Sequence, residues 1–89
     1  MQLPPDVIDD LTKRLRRIEG QVRGIPAMLA DGRDCKTVVA QISAISSAID
    51  QVGFKLLATG LATCLSDPDK AADAGFSLDE VERLFLKLA

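Results

Sequence analysis

Leu11, Leu15, Ile18, Val22, Ile25 and Leu29 follow one another at steps of four and three, the spacing that gathers apolar side chains on one side of a helix. The pattern predicts a first helix from about Asp6 to Ala30. Pro5 suits its entrance, and Asp31-Gly32 supplies a stop and a turn. Pro26 is expected to kink or shorten the last turn, because it lacks the N–H that a helix interior uses. A second helix is predicted from Cys35 to about Leu65, with Asp34 as its N-cap and no proline inside. Val38, Val39, Ile42, Ile45, Ile49, Val52, Leu56 and Leu57 form its broad apolar stripe, and Cys35, Gly60 and Cys64 share that stripe. "SDPD" (66–69) breaks the pattern, and "SLDE" (77–80) is a capping box that opens a third helix reaching about Leu88. No strand pattern competes. The expectation is an all-α, three-helix protomer forming one domain over residues 1–89.

The second helix is too long for that domain. About 30 residues make a rod of ~45 Å, whereas a compact chain of 89 residues is ~30 Å across. The chain's own helices cannot cover the whole stripe, so at least a dimer with bundle-like packing is expected. The same length separates the two cysteines. Cys35 and Cys64 are 29 positions apart, or ~43 Å on a straight helix. Two copies packed antiparallel bring Cys35 of one beside Cys64 of the other, twice.

Charge adds a second theme. The net charge is −2, yet Lys13, Arg14, Arg16, Arg17 and Arg23 face Glu19 alone within eleven residues. Such a basic segment on an acidic chain is either a solvated helix face or the footprint of an anionic partner. Asp6, Asp9 and Asp10 precede it and blunt its field. Gly20 and Gly24 fall on the basic side. Trp and Tyr are absent and Phe occurs three times, so there is no aromatic platform for unpaired bases. No apolar run is long enough for a membrane span, and no leader-like segment opens the chain. With two cysteines, the expected setting is the reducing cytoplasm.

Buried cysteines are often inert small hydrophobes. Cys35, however, opens a helix between Arg33 and Lys36, where the helix dipole and neighbouring cations favour an attacking thiolate. Cys64 precedes Asp67 and Asp69 near a helix end and suits the resolving role. A thiol oxidoreductase is disfavoured, since there is no CxxC pair, no βαβ pattern and no histidine anywhere.

"RLRRIEGQVRGI" (14–25), "DCKTVVAQISAISSAID" (34–50) and Cys64 together resemble the copper-sensitive operon repressor (CsoR) family of bacterial transcription regulators, over about residues 9 to 88. The resemblance implies an antiparallel dimer assembled as a dimer-of-dimers tetramer, and a repressor without a helix-turn-helix. Double-stranded operator DNA would be held by Lys13, Arg14, Arg16, Arg17 and Arg23, joined by Gln21 and Lys55. Such contacts position a protein on the duplex and make affinity fall steeply with salt. No enzymatic activity is implied.

One position departs from the family pattern. Copper-sensing members carry cysteine, histidine and cysteine where this chain has Cys35, Gly60 and Cys64. The missing imidazole makes nickel, cobalt and zinc improbable inducers, and Glu80, which falls where copper-sensing members place a carboxylate behind the metal's direct ligands, reads here as the capping partner of Ser77. A dithiol pocket with no third ligand resembles the persulfide-sensing branch, the CsoR-like sulfurtransferase repressors. The expectation from that likeness is no metal or other cofactor, with Cys35 and Cys64 of neighbouring subunits cross-linked through two to four sulfurs by low-molecular-weight persulfides or polysulfides. A small residue at 60 leaves room for the added sulfur. The alternative is a Cu(I)-responsive repressor using the same two thiolates, an ion suited to sulfur. A helical interaction module with inert cysteines is the alternative of another class.

Overall fold

The computed structural model describes residues 3–73, 75 and 77–89. They form four helices, α1 (Pro5–Ala30), α2 (Cys35–Ser66), α3 (Pro68–Asp73) and α4 (Leu78–Leu88), and no strand occurs among them. The all-helical expectation holds, with one short helix more than the apolar periodicity indicated.

Local chemistry explains each boundary. Pro5 stands at the first position of α1, and the Pro4 carbonyl accepts the first bond, from Ile8 N–H at 3.0 Å. α1 runs through Pro26 to Ala30, so the expected early end does not occur. The last turn is closed by a Schellman arrangement in which Gly32 N–H donates to Leu29 (3.2 Å) and Arg33 N–H to Met28 (3.0 Å). Gly32 is the residue that permits it, with φ of 69°. α2 starts where the Asp34 carbonyl accepts from Thr37 and Val38. Its C-terminal half carries Thr59 and Thr63, whose hydroxyls donate to the carbonyls of Lys55 and Thr59 at 2.9 and 3.1 Å. Such back-bonding weakens and bends a helix slightly.

α3 arises from the stretch read as a break. Asp67 Oδ1 accepts from Lys70 N–H at 3.2 Å, and Pro68 occupies the first helical position. An N-cap followed by proline is a helix start as well as a helix stop. At α4 the Ser77 hydroxyl accepts from Glu80 N–H at 3.3 Å, which is the expected half of the capping box. The Glu80 carboxylate itself lies 3.5 Å from Arg83.

The chain divides into two compact units, Asp9–Val52 and the set made of residues 1–8 with Gly53–Ala89. In the Asp9–Val52 unit, Leu11 and Ile18 of α1 are buried with Val38, Ile45 and Val52 of α2. Each series repeats every seven residues, one seam of a bundle. The second seam stays open: Leu15, Val22 and Leu29 on α1 and Ile42 and Ile49 on α2 are all exposed, Leu29 to 62%. In the other unit Cys64, Ala71 and Val81 form a small buried cluster, whereas Leu84, Phe85 and Leu86 of α4 face solvent.

Candidate functional site

The two thiols have opposite surroundings. Cys35 is the first residue of α2 and is exposed. Cys64, near the other end of the same helix, is 5% exposed and is packed beneath Ala71 of α3 and Val81 of α4. Gly60, one turn before it, is also buried. A groove of about 440 Å³ adjoins Cys64, lined by Leu65, Pro68, Ala71 and Ala72 with Ser77, Leu78 and Asp79 at the start of α4. Among the described residues no three His, Cys, Asp or Glu side chains gather as metal ligands. Two sulfur donors without an imidazole suit a soft ion, and they stand near the two ends of α2.

The basic residues do not form one face. Arg14, Arg17 and Gln21 line a groove of about 190 Å³ with Ile18, and α2 contributes Ala48 and Gln51 to it. Spacings of three and four along α1 put those three side chains together. Gln51 was not anticipated: a lone glutamine on a polar helix position carries no signal until the opposing helix is known. Arg23 lines a different groove, with Leu15, Glu19, Val22 and Ile49. Arg16 is exposed, seven residues before Arg23 and so on a similar side of α1. The preceding acids do take up cations. Lys13 Nζ lies 3.1 Å from Asp9, and Arg14 Nε lies 3.1 Å from Asp10. Arg16, Arg17 and Arg23 have no ion pair among the described residues. Lys55 is exposed on α2 in the other unit. No helix among the described residues is long and apolar enough to cross a membrane.

Residues 8–87 match the metal-sensitive transcriptional repressor family. The chain belongs to this family. It is 39% identical over 79 residues to the copper-sensing transcriptional repressor CsoR of Bacillus subtilis, a match covering 89% of this chain and 78% of that protein. It is 47% identical over 58 residues to the copper-sensing transcriptional repressor RicR of Mycobacterium tuberculosis, covering 65% of this chain and 60% of that protein. The fold matches the crystal structure of the copper-sensing repressor CsoR with Cu(I) from Geobacillus thermodenitrificans, with a TM-score of 0.69 and 38% identity over 99% of this chain and 84% of that one. These family members are transcriptional repressors, not enzymes. They also correct the expectation that no cofactor is involved: both relatives are copper-sensing, and the structural neighbour was solved with Cu(I). The missing imidazole carried too much weight in that expectation, because a soft ion does not need a third ligand beside two thiolates.

Proposed function

We propose that the chain is a Cu(I)-responsive repressor that binds double-stranded operator DNA in the cytoplasm as a dimer or a dimer of dimers. The placement of its two thiols at opposite ends of one unbroken helix carries this reading. Cys35 of one copy and Cys64 of another would hold the ion, which two thiolates suit and which needs no imidazole. The open apolar seam on α1 and α2 supports the pairing, since exposed rows of Leu, Ile and Val at heptad spacing call for a partner. The domain is taken as residues 1–89.

DNA backbone contacts fall to Arg14, Arg17 and Gln21 in their groove with Gln51, and to Lys13, Arg16, Arg23 and Lys55 at the surface. A ligand bridging two copies loosens DNA only if it fits the non-binding arrangement better than the binding one.

A second reading is favoured by one observation. Gly60 is buried one turn before Cys64 and offers no ligand atom. In that reading Cys35 thiolate takes the terminal sulfur of an organic persulfide, releasing the organic thiolate. The Cys64 thiolate of a second copy then attacks the Cys35 sulfur, forming the disulfide and releasing hydrosulfide. Where a second organic persulfide has first extended Cys35 by one sulfur and left as its thiolate, attack on the middle sulfur forms the trisulfide and again releases hydrosulfide. The two readings separate by titrating the operator complex anaerobically. Release at one Cu(I) per dithiol with no response to organic persulfide supports the copper sensor, and the reverse result replaces it.

A further inference from the structure

α4 meets α2 at both of its ends. Val81, in its first turn, is buried in one cluster with Cys64 and Ala71. At its last residue, Leu88 occupies the space beside Gly53. A Cβ at position 53 would stand 2.8 Å from Leu88 Cδ2 and 3.0 Å from Cδ1. Phe54 and Phe85 sit between these ends, with ring centroids 5.6 Å apart and planes inclined by 58°. α4 therefore runs antiparallel to α2, from Cys64 back to Gly53.

A helix of eleven residues is too short to persist alone in water, so its contacts determine where it lies. Those contacts are few. Val81 is the buried residue of α4, and an open groove of about 300 Å³ is lined by Gly53, Leu56, Leu57, Leu84, Lys87 and Leu88. Sparse burial of this kind marks a segment that opens locally at low free energy. The hydrogen-bonded backbone keeps α4 stiff along its ~16 Å, so a shift at Leu88 is felt at Val81.

We propose that Gly53 and Leu88 are positioning residues for the Cys64 thiol, acting through α4. The missing side chain at 53 leaves room for the Leu88 side chain, whose packing there seats the far end of α4, and that seating keeps Val81 in the buried cluster with Cys64. This rests on the reading that Cys64 receives the inducer, but the labelling measurement that tests it does not.

The measurement is the maleimide labelling rate of Cys64 relative to Cys35 in the reduced full chain, read by mass spectrometry. Gly53→Ala pushes the flexible end of Leu88 outward, and Leu88→Ala removes the key while leaving Gly53 intact. Both are expected to raise the Cys64 rate about threefold or more through local opening, with Cys35 labelling and helical circular dichroism unchanged. The ratio of operator affinities without and with inducer should fall in both variants. Unchanged Cys64 labelling in both overturns the proposal, as does a loss of helical circular dichroism, which would report general unfolding. If the wild-type operator affinity ignores Cu(I) and persulfide alike, a raised Cys64 rate in the two variants still upholds the positioning role and removes the sensing reading instead.

Discussion

Arg14 donates its Nε–H to Asp10 Oδ2 at 3.1 Å, one turn back on α1, while the same side chain walls the groove shared with Arg17, Gln21 and Gln51. The two side chains are about two-fifths exposed. Water and salt therefore weaken the pair to roughly 0.2–1 kcal/mol. In the proposed operator complex, a DNA phosphate would compete with Asp10 for this guanidinium. Asp10→Asn removes the competitor and a repelling charge, and is expected to tighten operator binding about two- to fivefold at ~0.1 M salt. The gain should shrink as salt rises. Fluorescence anisotropy across a salt series checks both halves of the statement.

Arg17 has no ion pair among the described residues, so its charge is available to a phosphate. Arg17→Ala is expected to weaken binding across operator and unrelated sequences alike, and to lower the salt slope by about one. Gln51 provides the complementary test. As a neutral side chain on the α2 wall of the same groove it contributes no counterion release, whereas Gln51→Lys adds a cation there. The slope should steepen by about one unit and affinity should rise. Identical slopes in wild type, Arg17→Ala and Gln51→Lys would move the DNA surface elsewhere on the molecule.

The residues that were legible from sequence are those whose signal is local. Ser77 announced α4 because a hydroxyl three residues before Glu80 needs no knowledge of the rest of the chain. Gly32 announced the end of α1 for the same reason. Asp67 and Pro68 carry an equally local signal for α3, but from sequence alone it reads as a stop, since the six residues Pro68–Asp73 hold too little apolar pattern to claim a helix. Pro26 misled in the other direction: a proline this close to a helix end disturbs one turn, and the Gly32 closure holds what remains. Nonlocal facts were out of reach. Leu15 and Ile18 look alike in a helical pattern, yet one is exposed and the other buried. Which seam the chain covers for itself depends on how its helices meet, as does the entry of Gln51 into the basic groove.

The α1–α2 connection places Cys35, and its geometry depends on one backbone conformation. Gly32 has φ of 69°, and a Cβ there would meet no neighbouring atom within 4 Å. Any loss on substitution is therefore backbone strain and not crowding. Gly32→Ala is expected to cost ~1–2 kcal/mol, the penalty of left-handed backbone for an ordinary residue. Gly20→Ala, in a helix interior with equally open space, should instead stabilise by ~0.5–1 kcal/mol. Urea unfolding of the two variants at one protein concentration measures the contrast, and equal effects would deny Gly32 its role in the turn.

The open seam predicts how the chain associates. Ile42 and Ile49 are exposed, seven residues apart on α2, and an aspartate at either would have to be buried in any interface built on that row. Ile42→Asp and Ile49→Asp should each shift the protein toward monomer in light scattering, because an unpaired charge buried at an interface costs several kcal/mol. Retention of the wild-type mass in both would place the contact on another face.

The sharpest test of shared thiols uses two defective proteins together. Cys35→Ala lacks the exposed thiol and Cys64→Ala the buried one, so neither alone should hold Cu(I) tightly if each site needs one sulfur from each of two copies. Mixed and allowed to exchange subunits, half of the dimers become heterodimers, and each heterodimer regains one complete site of the two by symmetry. The mixture should then recover roughly a quarter of the wild-type capacity, measured by competition with a Cu(I) chelator. A site made within one chain predicts no recovery, because each variant stays one sulfur short. Recovery of copper binding together with operator release tied to the heterodimer fraction would link the thiols of separate copies to the switch itself.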